Sequence, residues 1–91
     1  MQDFAETVAL EALAWLVGDE ELLPVFLGAT GASAGDLRDR ASEPEFLASV
    51  LDFLLLDDAW VLRFCASCGR PGEAVMAARA SLPGGADPHW T

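Results

Sequence analysis

The residues best suited to chemistry are two cysteines in a C-x-x-C spacing, Cys65 and Cys68. A pair at this spacing either cycles between dithiol and disulfide or supplies half of a four-ligand zinc site. Zinc would need two further ligands, and the sequence offers one histidine, His89, unless two copies of the chain shared four cysteines. A thiol-redox or metal-binding protein that uses this pair is therefore kept as the alternative function.

The predicted position of the pair disfavours redox chemistry. Cys65 and Cys68 fall at the C-terminal end of a predicted helix, whereas reactive thiols obtain a low pKa from a helix N-terminus. Arg63 and Arg70 offset part of this effect. We predict that Cys65 is a small buried apolar residue and that Cys68 is partly exposed near the helix end.

Acidic and glycine-rich segments provide no second candidate site. The acidic residues at 19–21 and 57–58 fall at predicted helix starts, where carboxylates stabilise the helix dipole, and they lack the ligand spacing of a calcium loop. Gly28, Gly31 and Gly35 follow no strand and precede no lysine, which excludes a phosphate-binding loop. We expect no catalytic residue, no cofactor and no metal ligand, and hence a protein that is not an enzyme.

Charge and composition limit the classes of partner. The chain has 91 residues, of which 15 are acidic and 5 are arginine, and its formal net charge is −10. Nucleic acids and anionic membranes bind positive charge, so we expect neither as a partner. Hydrophobic residues make up 53% of the chain, against about 45–50% in a usual domain. Because so short a chain has a small core, some apolar surface is expected to meet another protein.

The sequence predicts a cytoplasmic protein. Asp3 and Glu6 lie where a secretory signal needs basic residues. The longest apolar stretch, residues 46–56, is interrupted by Asp52 and is shorter than the roughly 20 residues of a membrane span. Two cysteines are too few for a disulfide scaffold, which favours reduced thiols.

The patterning predicts an all-α fold of about six short helices in a compact orthogonal or irregular bundle. The helices are expected over residues 3–17, from 19 to about 28, over 34–40, 44–56 and 58–67, and from 73 to about 82. No segment alternates apolar and polar residues over the length of a strand. We assign residues 1–82 to a single helical domain and 83–91 to a C-terminal tail, in which Trp90 docks on the domain or contacts a neighbour.

Four local signals mark the predicted helix ends. Ser33 and Asp36 form a capping-box arrangement, and Pro44 suits the first position of the fourth helix. Gly69 is expected to terminate the fifth helix. Pro24 lies late for a first-turn proline, so we expect a kink or a 3₁₀ start in the second helix.

Six short strings along the chain occur in an order that resembles a known family. They are residues 13–16 (LAWL), 22–24 with 26–27 (LLP, FL), 30–31 (TG), 50–55 (VLDFLL), 57–60 (DDAW) and 82–85 (LPGG). In this order they are similar to a family of short alphaproteobacterial proteins designated domain of unknown function 3572. The resemblance spans about residues 5–85 and implies a cytosolic helical protein, and it brings no activity, ligand or catalytic residue.

The predicted helices carry more apolar surface than the core of one small domain can bury, and this excess predicts an interaction module. The first, fourth and fifth predicted helices are apolar around most of their circumference, and one small domain cannot cover all three. We therefore expect a non-enzymatic protein that forms a homodimer or binds a protein partner through apolar helix faces. An acidic mimic of nucleic acid is ranked last, because the carboxylates scatter to helix starts.

Overall fold

The computed structural model describes residues 2–82, and in this part of the chain it contains six α-helices and no strand. The predicted all-α fold is thereby confirmed. The helices are α1 (Gln2–Val17), α2 (Leu22–Thr30), α3 (Ala34–Asp39), α4 (Pro44–Leu54), α5 (Asp58–Cys68) and α6 (Glu73–Ala80). The predicted tail, with His89 and Trp90, lies outside the described residues.

Side-chain caps start two of the helices. Ser33 Oγ accepts a hydrogen bond from the Asp36 backbone N–H at 3.3 Å, and the Asp36 carboxylate accepts one from the Ser33 N–H at 3.0 Å. This reciprocal pair confirms the predicted capping box. At α5, Asp57 Oδ1 accepts from the Ala59 N–H at 2.8 Å. Both caps satisfy N–H groups that have no partner inside their own helix.

Left-handed glycines end α2 and α5. Gly31 has a φ of 74° and Gly69 a φ of 72°, a region that residues with a Cβ rarely occupy. The Gly31 N–H donates to the Leu27 carbonyl at 2.9 Å, which satisfies one of the last carbonyls of α2. Gly69 therefore terminates α5 as predicted.

The start of α2 corrects one prediction. Helix α2 begins at Leu22, and Pro24 is its third residue, so neither a kink nor a 3₁₀ segment occurs there. In the first turn the missing N–H of proline has no intrahelical partner to lose. Instead, Asp19 precedes the helix by three residues, and its carboxylate accepts from the N–H groups of Glu21 and Leu22 at 2.9 and 3.0 Å.

Helix α4 ends at Leu54, two residues before the predicted end. Asp57 is extended, with a φ of −143°, because it caps α5, and the chain must leave the helical conformation before reaching it. Leu56 falls in this connection and is 75% exposed. Helix α6 likewise ends at Ala80, shorter than the predicted 82.

The core lies between α1, α4 and α6. Helix α4 turns all its large apolar residues inward: Phe46, Leu47, Val50, Leu51, Phe53 and Leu54. Phe26 of α2 packs edge-on against Phe53, with ring centroids 5.3 Å apart. Among the described residues no polar side chain is buried, so apolar packing carries the stability of the interior.

Candidate interaction surfaces

The two cysteines lie in different environments at the end of α5. Cys65 is buried in the core, and Cys68 is exposed. Burial raises the pKa of the Cys65 thiol, the neighbouring Cys68 raises it further, and Arg70 partly opposes both. The Cys68 Sγ lies 3.8 Å from the carbonyl oxygen of Cys65. The predicted division into one core thiol and one outer thiol is therefore confirmed.

No ligand cluster accompanies this pair. Within residues 2–82, no group of three or more histidine, cysteine, aspartate or glutamate side chains is placed to hold a metal ion. His89, the further ligand considered for zinc, lies outside the described residues. The geometry therefore provides no support for the thiol-redox or metal-binding alternative.

Several acidic residues have structural partners instead. Asp19, in the turn before α2, accepts a hydrogen bond from the Leu22 N–H at 3.0 Å and another from Arg63 Nη2 at 2.9 Å. The backbone N–H of Leu22 is the main cause that lowers the pKa of Asp19. Arg63 also lies over the Trp15 ring, 5.6 Å from its centroid, which ties α5 to α1.

A second ion pair joins α1 to the loop between α5 and α6. Arg70 binds Glu11 through two hydrogen bonds, Nε to Oε1 at 2.6 Å and Nη2 to Oε2 at 3.1 Å. These bonds lower the pKa of Glu11 and raise that of Arg70. The guanidinium also lies 5.6 Å from the centroid of the Phe4 ring. This fork-shaped contact sets the position of the α5–α6 loop on α1.

An apolar groove runs along the side of α1 that faces α3. Its volume is about 480 Å³, and we call it the α1–α3 groove. The lining residues are Leu10, Leu13, Ala14 and Val17 of α1, Leu23 of α2, and Ala34, Leu37, Arg38 and Ala41. The four α1 residues follow the spacing that places side chains on one helix face. Leu13 also belongs to the core, so this second apolar face of α1 adjoins the one that packs inside the domain.

Leu37 closes one side of the groove and attaches α3 to the domain. It is the only residue of α3 that is buried, at 7% exposure. Leu10 and Val17 on the opposite wall remain 45% and 50% exposed. A helix of six residues with one anchor cannot cover the second apolar face of α1.

Charge around the groove is mainly negative. Glu6 lies one turn before Leu10 on the same face of α1, and Glu20 and Glu21 lie in the turn between Val17 and Leu23. Asp39 ends α3 beside Arg38, the one cation of the lining. None of these five charged side chains has an ion pair within the part of the chain that the structure describes.

A second apolar surface lies where α5 and α6 diverge. Leu62 and Met76 are 63% and 65% exposed. Between them is a depression of about 300 Å³, and we call the whole surface the α5–α6 patch. Its lining residues are Leu55, Asp58, Val61, Leu62, Gly72 and Met76. Gly72 lines the depression without a side chain, and a Cβ at this position would lie 4.0 Å from Leu62 Cδ2.

The sequence indicated an excess of apolar helix face, but it located neither the α1–α3 groove nor the α5–α6 patch. The spacing of Leu10, Leu13 and Val17 is visible in the sequence, and it predicts an apolar stripe on α1. Leu37 is visible in the sequence as the one large apolar residue of the third helix, but the sequence contains no signal that Leu37 meets this stripe.

The described helices also include none long and apolar enough to cross a membrane.

Comparison with known proteins identifies the family of the chain. A family model described as a protein of unknown function (DUF3572) matches residues 2–85, nearly the whole chain, which confirms the resemblance inferred from the ordered strings. No curated protein and no solved structure matches the chain.

Proposed function

The chain belongs to the DUF3572 family of proteins of unknown function, and we propose that it is a non-enzymatic interaction module that forms a homodimer through the α5–α6 patch. The observation that carries the proposal is the exposure of Leu62 and Met76, 63% and 65%, on adjoining helices of a small domain. Removing two such side chains from water is favourable by about 1.5–3 kcal/mol for each fully buried side chain.

The shape of the patch supports a second copy as its partner. A twofold interface must be self-complementary, because the same surface contacts itself. Here the projecting side chain of Met76 lies beside a depression floored by Gly72 and Val61. A twofold axis through the patch would place Met76 of each copy in the depression of the other. Methionine suits such a contact because its unbranched side chain adapts to irregular cavities.

Charge limits how tightly two copies associate. Each chain carries a net charge of −10, and Asp58 lines the patch itself. Like charges at this separation repel less as salt rises. We therefore expect a weak, reversible dimer that becomes tighter at high ionic strength.

The absence of a catalytic role and a cytoplasmic location are part of the same proposal. Arg63 and Arg70 form ion pairs between elements, and Cys65 is buried in the core. We therefore assign structural roles to these three side chains. The two free thiols suit a reducing compartment.

Sedimentation velocity tests the homodimer. The wild-type chain is expected to sediment heavier than its 9.6 kDa monomer as the concentration rises through the micromolar range. Leu62→Lys should weaken the dimer at least about tenfold, since it places two buried charges in the interface.

The matched control is Val25→Lys, at a residue of α2 that is 49% exposed and lines neither surface. It introduces the same charge and should leave dimerisation unchanged. A wild-type chain that remains monomeric at about 1 mM, or a dimer equally weakened by both variants, would contradict the proposal.

A further inference from the structure

We propose that the α1–α3 groove is a second, independent docking surface, and that its occupant is an amphipathic helix of another protein with an apolar face and lysine or arginine at both ends. Three observations support this occupant: the length and spacing of the apolar stripe on α1, the charge at the ends of the groove, and the repulsion that a second copy would meet there.

The stripe has the dimensions of a helix contact. Leu10, Leu13, Ala14 and Val17 follow i, i+3, i+4 and i+7 spacing, and they cover about 10 Å of helix axis. A partner helix presents its own anchors with the same period, so its side chains fit between those of α1. Leu23 and Leu37 form the other side of the groove. About three apolar anchors of a helix of 10–14 residues would fill this length.

The flanking charge selects a basic helix. Glu6 lies at one end of the stripe, and Glu20 and Glu21 lie at the other. With Asp39 at the end of α3, four carboxylates flank the groove, whose lining contains one arginine, Arg38. Because none has an ion pair in the described part of the chain, a partner that carries lysine or arginine at its ends gains attraction without breaking an existing contact.

A second copy fits this groove poorly. An antiparallel pairing of two α1 stripes aligns Leu10 with Val17 of the other copy. The same register brings Glu6 of each copy toward Glu20 and Glu21 of the other, and like charges at an interface oppose association. The patch and the groove therefore differ in partner, and the groove is open to a different protein whether or not the chain is dimeric.

Two synthetic peptide helices test the inference on the full chain. Both carry the same leucine stripe at i, i+3, i+4 and i+7, and their flanking residues are lysine in one and glutamate in the other. Titration into ¹⁵N-labelled protein should shift the resonances of Leu10, Val17 and Leu37. The lysine-flanked peptide should bind at least about tenfold more tightly than the glutamate-flanked one.

Protein variants separate groove binding from general attraction to an acidic protein. Leu10→Asp adds a negative charge, so electrostatics alone would strengthen binding of the lysine-flanked peptide. We expect instead that this variant loses binding, because its carboxylate lies in the apolar stripe. Val25→Asp, at a residue of α2 that is 49% exposed and lines neither surface, is the charge-matched control and should bind the lysine-flanked peptide within about twofold of wild type.

Other results would overturn the inference. They are equal affinity for the two peptides, no binding of either at about 1 mM, or shifts confined to the region around Leu62 and Met76. Loss of dimerisation in Leu10→Asp, measured by sedimentation, would make the groove an interface between copies. That outcome would overturn both the basic partner and the assignment of the dimer to the patch, whereas failure of the peptide alone leaves the homodimer standing.

Discussion

The α5–α6 patch and the α1–α3 groove are built from the same kinds of residue but differ in shape and charge. In the patch, Leu62 and Met76 project from the surface, and one acidic residue, Asp58, lies among them. In the groove, Leu10 and Val17 are about half exposed along one wall, and carboxylates lie near both ends of the stripe. Exposed apolar area alone therefore does not identify a partner, because shape and neighbouring charge decide what can cover it.

The difference arises from how the helices share the core. Helix α4 places its whole apolar side inside, so it leaves nothing for a partner. Helix α1 has two adjoining apolar faces, and Leu10 and Val17 of the second remain about half exposed. The second face is left to α3, whose single buried residue is Leu37. The groove is thus a consequence of a short helix packed against a long apolar one.

Removing the anchor of α3 should break the groove and spare the patch. Leu37→Ala is expected to lower the free energy of unfolding by about 2–3 kcal/mol, because it deletes buried methyl groups and leaves a cavity. Urea denaturation measures this loss. The variant should also lose the lysine-flanked peptide while keeping the wild-type dimerisation constant. Equal loss at both surfaces would mean that the two are coupled.

Added salt should strengthen dimerisation through the patch and weaken peptide binding in the groove. Raising sodium chloride from about 50 to 500 mM shortens the range of charge interactions. Dimerisation through the patch should become several-fold tighter, since it brings two chains of charge −10 together. Binding of the lysine-flanked peptide should weaken by a similar factor. Sedimentation and peptide titration at the two salt concentrations check this, and a shared sign would contradict the assignment of partners.

The ion pair between Glu11 and Arg70 joins the helix of the groove to the loop beside the patch, and it should give a small acid-dependent loss of stability. The pKa of Glu11 is lowered in the folded chain, so the unfolded chain takes up this proton first as the pH falls. The pair therefore stabilises the fold above pH 4.5, the ordinary value for glutamate, and this contribution is lost at lower pH. Glu11→Gln should be less stable at neutral pH and converge on wild type in acid.

Thermal unfolding at several pH values measures this difference. Because the pair is partly exposed, we expect a smaller effect than that of Leu37→Ala. A constant difference between Glu11→Gln and wild type from neutral to acid pH would show that the side-chain amide perturbs packing rather than charge. Dimerisation and peptide binding should both be unaffected, since Glu11 lines neither surface.

Local signals predicted the helices well because each depends on a few neighbouring residues. The Ser33–Asp36 capping box, Pro44 at the start of α4 and Gly69 after α5 all lie where the sequence placed them. The division between Cys65 and Cys68 was predicted from their position near the end of the fifth helix. The prediction for Pro24 was wrong because α2 begins only after a turn in which the Asp19 carboxylate accepts hydrogen bonds from the N–H groups of Glu21 and Leu22.

The amino-acid sequence by itself determined that residues 2–82 contain six helices and no strand. It also determined that the chain is strongly acidic and that its helices carry more apolar face than a short chain can bury. These properties are local or additive, so they can be obtained from composition, spacing and caps. Only the tertiary structure decided which apolar faces stay open. That outcome depends on which helices meet and how far each reaches, and no single segment of the chain contains this information.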